Sequence, residues 1–140
     1  MTARPTWRLH RERRGATAVE FAIIAAVLLP LLFGTLDLGL LMWTDNALQS
    51  TAALTARCVA LSSSLCSANP AQYAVTTAES WILPNIITTA EVTINSAATS
   101  CNGTTGAFVT VAISSSYWAA NILPPPFSAT TLHVSSCFPG

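Results

Sequence analysis

One long apolar run dominates the pattern of hydrophobic and polar positions. Residues 21–43 are apolar apart from Thr35 and Asp37, which is longer than the roughly 20 residues that span a bilayer core. From Asp45 to Leu61 the sequence contains neither proline nor glycine, so the helix is expected to continue to residue 61. Pro30 is expected to kink it, because proline lacks the amide hydrogen and crowds the preceding turn. One face of the continuation is predicted to carry Ala47, Leu54, Cys58 and Leu61.

After a polar loop at residues 62–69, shorter elements follow. Asn69-Pro70 is typical of a helix start, and it predicts a helix over 70–82 that ends before Pro84. Alternating apolar positions then predict three strands, marked by Val92 and Ile94, by Val109, Val111 and Ile113, and by Leu132 and Val134. A turn in residues 101–106 joins the first two strands and a loop at 117–126 joins the last two. The predicted fold class is α+β, a long N-terminal transmembrane α-helix followed by a small disulfide-linked domain of one helix and a three-stranded antiparallel sheet.

Charge is scarce and uneven. Only 9% of residues are charged, against roughly 25% in an ordinary soluble domain, so something other than water is expected to cover much of this chain. Five of the six basic residues precede Gly15, at Arg4, Arg8, Arg11, Arg13 and Arg14. A basic tail can bind nucleic acid, but one that abuts an apolar run indicates a cytoplasmic N-terminus with the rest exported. We therefore expect a lipid bilayer as partner and no nucleic acid.

All four cysteines lie beyond the apolar run, at Cys58, Cys66, Cys101 and Cys137. In an exported domain this number suggests two disulfides. In an antiparallel meander the first and third strands run the same way, so Cys101 and Cys137 end them at one edge, while Cys58 and Cys66 are close in sequence. The predicted pairs are Cys58–Cys66 and Cys101–Cys137; two other connectivities, or four reduced thiols, remain alternatives. There is no C-x2-C pair, so no metal site is predicted.

The stretch that carries chemistry is Arg13 to Phe21. A basic leader ends at Gly15, and Glu20 and Phe21 follow at the start of the apolar run. A stray acid at the membrane interface is one interpretation of Glu20, although charge leading into lipid is costly. Cleavage between Gly15 and Ala16 offers another, because it creates an ammonium group on Ala16. In an assembled fibre Glu20 of one subunit could pair with that ammonium of its neighbour, which offsets the cost of burying both charges.

These residues resemble a known motif. Gly15, Glu20 and Phe21 are similar to the cleavage motif of type IV-like prepilins of the tight-adherence (Flp) class. The longer pattern of residues 14–22, Leu29-Pro30-Leu31 and residues 33–39, with Ala56-Arg57 beyond it, resembles the TadE-like family of minor pilins. The resemblance implies an inner-membrane prepilin cut by a prepilin peptidase, with other pilins and inner-membrane pilus assembly proteins as partners in an adhesive pilus. It implies a structural subunit that catalyses nothing.

The expected organisation follows from these patterns. Residues 1–15 are a cytoplasmic leader, 16–44 a transmembrane helix, 45–61 its periplasmic continuation and 62–140 a small exported domain. The protein is thus expected in the bacterial inner membrane as a single-pass chain, and from there in an extracellular pilus.

Two features of the helix have competing interpretations. Small residues recur at every fourth position, at Ala18, Ala22, Ala26 and Gly34, with Pro30 between them. Such a stripe lets a second helix approach closely, but ordinary alanine abundance also produces it. Asp37 is a candidate for binding a partner inside the membrane, unless the span ends near Leu36 and leaves it at the interface.

The remaining residues do not suggest an enzyme. Beyond the apolar run the ionisable residues are few and no Ser/His/Asp set converges, so neither catalysis nor a cofactor is expected. The alternative function is a single-span membrane-anchored adhesin or binding domain that is not built into a pilus. In the loop of residues 117–127, Trp118 and Phe127 are expected to complete the core, and Ile122 and Leu123 to dock on a neighbouring subunit or the outer lipid surface.

Overall fold

The computed structural model describes residues 7–81, 85–116 and 131–140, with side chains from residue 15 onward. It contains two α-helices, a short 3-10 helix and three strands, which confirms the predicted fold class. The chain divides into two compact units, Met1–Gly39 and Leu40–Gly140. The predicted loop at residues 117–127 lies outside the described residues, and so do Trp118, Ile122, Leu123 and Phe127.

Helix α1 extends over Trp7–Ala60. It begins well before residue 16, where the apolar pattern placed its start, because residues 7–14 are rich in the good helix formers arginine, leucine and glutamate. The helix continues without interruption through Pro30. It ends where Ser62 adopts a φ of 49°, and Arg57 lies in the last turn, where the helix dipole favours a cation.

The unit Leu40–Gly140 has one core, to which the last turns of α1 contribute directly. Leu48, Ala52 and Ala56 from α1 pack in a single buried cluster with residues of α2 and of the sheet. Their partners in that cluster include Ala74, Val75, Ala78, Val92, Val111, Ile113, Leu132 and Val134. The domain core therefore begins inside the long helix rather than after it.

The face predicted to carry Ala47, Leu54, Cys58 and Leu61 is only partly buried in the structure. Ala47 and Cys58 are buried, but Leu54 is 41% exposed and Leu61 62% exposed. The buried positions are instead mostly small residues, Ala52, Ala56, Thr51 and Thr55 among them. The threonine hydroxyls donate to carbonyls one turn back, Thr51 to Ala47 at 2.9 Å and Thr55 to Thr51 at 2.8 Å, so no hydroxyl is left unsatisfied and the methyl groups can pack.

Helix α2 extends over Pro70–Trp81, as Asn69-Pro70 predicted. The Oδ1 atom of Asn69 accepts a hydrogen bond from the backbone amide of Gln72 at 3.1 Å, which satisfies one of the unpaired donors at the helix start. Buried Ala74, Val75 and Ala78 face the core.

The strands are β1 (Val92–Cys101), β2 (Thr104–Ser116) and β3 (Thr131–Pro139). They form an antiparallel sheet in the order β1-β2-β3, and Ile113 pairs with Val92 on one side and with Val134 on the other. The β1–β2 turn is tighter than the predicted stretch 101–106, because Cys101 already pairs with Thr104. Asn102 and Gly103 make it with φ values of 48° and 82°, the geometry of a two-residue hairpin turn.

Two disulfides close the unit, as the fold class predicted. One joins Cys58 at the end of α1 to Cys66 in the loop before α2, with Cα atoms 6.2 Å apart. The other joins Cys101 at the end of β1 to Cys137 in β3, with Cα atoms 6.4 Å apart. This is the pairing that the strand arrangement favours.

Candidate functional site in the amino-terminal helix

The predicted processing motif lies within α1. Gly15, Ala16, Glu20 and Phe21 are all exposed, Phe21 to 72%. Ala16 and Glu20 are four residues apart, so in a helix their side chains lie on the same face one turn from each other. In α1 the Glu20 side chain therefore lies one helical turn from Ala16, the residue at which the predicted cleavage would create a new N-terminus.

Gly15 is an interior helical residue here. A Cβ atom added to it would meet no atom within 4 Å, so the surroundings in this fold do not require a glycine. Glycine inside a helix is less favourable than alanine by roughly 0.5–1 kcal/mol. Gly15, the first residue of the predicted motif, therefore makes the helix slightly less stable at this position than alanine would.

The apolar surface of this part of α1 is uncovered by protein. The large apolar side chains between Val19 and Leu38 are 47% to 72% exposed. Within the described residues one helix is long and apolar enough to cross a membrane, Gly15–Ala60. A single apolar helix near the N-terminus suggests a single-pass membrane anchor.

Comparison with known proteins gives one match. Residues 15–57 match the family model described as TadE-like protein. This match confirms the resemblance to the TadE-like family. No match was found among the curated proteins or the solved structures.

The TadE-like segment, residues 15–57, begins at Gly15 itself and ends inside the buried part of α1. It contains Glu20, Phe21 and Asp37 together with the small-residue stripe. The TadE-like family is a structural, pilus-associated family and not an enzymatic one. The match therefore supports a pilus-associated protein in general terms.

Within the TadE-like segment, the predicted packing residues Ala18, Ala22, Ala26 and Gly34 are all exposed. A Cβ on Gly34 would meet nothing within 4 Å, so the stripe is open to another helix. Asp37 is half-buried, and its binding role stays a prediction. Nearby, the hydroxyl of Thr35 donates to the Leu32 carbonyl at 2.9 Å, which satisfies this polar group within the apolar run.

An aromatic contact lies close to the end of the apolar run, and sequence reasoning missed it. The indole Nε1 of Trp43 donates to the backbone carbonyl of Trp81, the last residue of α2, at 3.3 Å. The two tryptophans remain 58% and 51% exposed. Trp43 is the last residue of the apolar run, but nothing in the sequence links it to a tryptophan 38 residues away.

Two ionisable groups of the elements beyond α1 make local structural contacts. The Glu91 carboxylate accepts the Thr88 amide at 2.7 Å where the 3-10 helix Thr89–Glu91 begins. The hydroxyl of Ser114 lies 3.0 Å from Nδ1 of His133 across the β2–β3 pair. No group of three or more His, Cys, Asp or Glu that could hold a metal ion occurs in the described part of the chain.

Proposed function

We propose that this protein is a minor pilin-like structural subunit needed for assembly of a tight-adherence pilus, cut by a prepilin peptidase between Gly15 and Ala16. The observation that carries the proposal is the TadE-like match, which starts at Gly15 and includes Glu20 and Phe21. Its partners are the peptidase, the other pilins, the inner-membrane pilus assembly proteins and the lipid bilayer.

The topology follows from charge and chemistry. The arginine-rich leader stays in the cytoplasm, because basic flanks are retained on that side. The unit Leu40–Gly140, which carries both disulfides, is then in the periplasm, where disulfides form and persist.

Processing requires α1 to open locally. A protease cleft binds an extended backbone, whereas residues 7–20 are helical. Gly15 lowers the free energy needed for that opening, since it has the weakest helix preference of any residue except proline. Cleavage then leaves the ammonium of Ala16 one turn from Glu20.

Assembly uses the new charge pair. The exposed carboxylate of Glu20 pairs with the Ala16 ammonium of a neighbouring subunit as both enter an apolar environment. The open stripe of Ala18, Ala22, Ala26 and Gly34 lets the helix of that neighbour approach closely enough for the pair to form.

Intact-mass measurement of the membrane-purified protein tests the proposal. In cells that make the peptidase we expect the mass of a chain that begins at Ala16. The change Gly15→Val should block cleavage, because it fills a position that must fit the cleft. The matched control Gly34→Val, at another glycine of α1 with open surroundings, should leave cleavage intact.

A wild-type chain that keeps residues 1–15 in those cells would contradict the proposal. It would favour instead the single-span membrane-anchored adhesin or binding domain, which needs no processing.

The charge pair has its own test in Glu20→Gln, which keeps the shape and removes the charge. Membrane insertion should be unchanged while recovery of the protein with sheared pili falls at least severalfold. The control is Glu79→Gln, at an exposed acid of α2, which should have no effect. Normal piliation with Glu20→Gln would refute the pairing mechanism but not the processing step.

A further inference from the structure

We infer that Trp43 and Trp81 together form an interfacial anchor that seats the unit Leu40–Gly140 on the outer headgroup layer of the bilayer. The inference rests on the proposed membrane anchoring by α1. It adds a second attachment point, one supplied by the exported elements rather than by the spanning helix.

The first step is the contact itself. The carbonyl of Trp81 belongs to the last turn of α2, where carbonyls have no partner within the helix. The indole N–H of Trp43 donates a hydrogen bond to this carbonyl oxygen, with 3.3 Å between Nε1 and the oxygen. One hydrogen bond thus satisfies the polar group of one ring and fixes the position of the other residue.

The second step is what remains exposed. Each tryptophan is more than half exposed, although the N–H of Trp43 is already bonded to protein. Large apolar groups exposed side by side mark a contact surface. Tryptophan is enriched where a membrane meets water, because its body is apolar and its edge is polar.

The third step is depth. Trp43 is the last residue of the apolar run 21–43, so an anchored α1 places it at the outer interface. The hydrogen bond brings Trp81 to the same level. Asn46 and Ser50 line the same small cavity as the two tryptophans, one and two turns further along α1, so polar residues begin directly beyond the pair.

The fourth step is the kind of surface recognised. Beyond residue 39 the chain has a single basic residue, Arg57, so attraction to anionic headgroups contributes little. Attachment through two uncharged rings is therefore expected on zwitterionic lipid, with no dependence on salt.

Quenching by brominated phosphatidylcholine tests the anchor in the full chain. Trp7→Phe and Trp118→Phe leave only the Trp43–Trp81 pair, and the further change Trp81→Phe leaves Trp43 as a reference. In vesicles brominated near the headgroup end of the acyl chains, we expect both proteins to lose the same fraction of their emission. The water-facing control adds Leu65→Trp to the Trp81→Phe protein, because Leu65 is 79% exposed; its added emission should be quenched by acrylamide and not by lipid.

Each outcome decides a separate claim. If about half of the emission of the pair survives in brominated lipid while the Trp43 reference is fully quenched, Trp81 is in water and the anchor is refuted, although α1 still spans. If Trp81 escapes quenching by the brominated lipid but becomes shielded from acrylamide when another pilin is added, the surface binds protein and the lipid assignment is wrong. If the protein does not enter the vesicles at all, the proposed membrane anchoring itself fails.

Discussion

The two units of this protein use α1 in opposite ways. Before residue 40 its large apolar side chains are exposed, with Phe21 at 72% and Val27 at 70%. From residue 44 onward one face of α1 is buried, with Leu48, Ala52 and Thr55 at 0%. The first part of the helix thus exposes its large apolar residues, whereas the second part buries a face made mostly of alanine and threonine around Leu48.

Side-chain size explains the difference better than hydropathy does. Leaving large apolar groups in water costs roughly 25 cal/mol for each Å² that could have been buried, so the exposed apolar side chains between Val19 and Leu38 suit an apolar solvent. In the unit Leu40–Gly140 the helix packs against α2 and the sheet, and small residues let α1 approach these neighbours closely. One part of the helix is therefore adapted to lipid and the other to protein.

The largest effect should come from placing charge in the first part. Leu28→Arg with Leu32→Arg puts two arginines near the middle of the apolar run, where each disfavours insertion by roughly 2.5–3.5 kcal/mol. The double variant should be extracted from membranes by alkaline carbonate, whereas the wild type should remain in the pellet.

The matched control for charge is Leu61→Arg with Leu65→Arg, at two exposed leucines with the same spacing. It should leave the protein in the membrane pellet. If both double variants behave alike, the first part of α1 is not in lipid and the contrast between the units is wrong.

The next effect concerns the bridges, both of which lie in the second unit. Replacing Cys101 and Cys137 by alanine opens a loop with a sequence separation of 36, which should lower the free energy of unfolding by about 4 kcal/mol in the chain-entropy account. Replacing Cys58 and Cys66, separated by 8, should lower it by about 2.5 kcal/mol.

Urea unfolding of the full chain in detergent, followed by near-ultraviolet circular dichroism, measures both losses. Carbonate extraction should be unchanged in either variant. A greater loss from the shorter loop would contradict the entropic origin of the ranking.

The smallest effect is a test of size alone. Ala52→Leu adds bulk at a position with no exposed surface, and overpacking of this kind typically costs about 1–3 kcal/mol. The melting temperature of the second unit should fall by about 4–8 °C for each kcal/mol. The same change at exposed Ala53, or at exposed Ala22 in the first unit, should leave that temperature unchanged; equal shifts at all three would show that the buried face is misassigned.

The sequence was informative wherever one residue type determines a local geometry. Alternation of Val109, Val111 and Ile113 predicted β2, and Asn69-Pro70 predicted α2, because periodicity and capping act over a few residues. The resemblance to the TadE-like family was likewise recognisable, since it lies in one short segment, residues 15–57, whereas the processing of that segment stays a prediction.

What the sequence did not reveal depends on contacts between distant segments. Helical spacing grouped Leu54 and Leu61 with Ala47 and Cys58 on one face, but it did not show that the two leucines are exposed while the other two residues are buried. Alanine and threonine occur on both kinds of surface, so their pattern does not identify the buried side. The Trp43–Trp81 contact joins two helices whose relative position no local signal specifies.

The two disulfides also set how this protein would respond to being pulled, as a pilus component is when a cell is dragged away from a surface. A force on the carboxyl end passes from Cys137 directly to Cys101, and from Cys66 directly to Cys58. The polypeptide between each bonded pair is shielded and cannot be drawn out. Only the stretch between Cys66 and Cys101 can lengthen, by at most about 120 Å, whereas the reduced chain between Cys58 and Cys137 could extend to about 270 Å. Disulfide formation thus makes the unit Leu40–Gly140 a short tether whose reach is limited by covalent bonds.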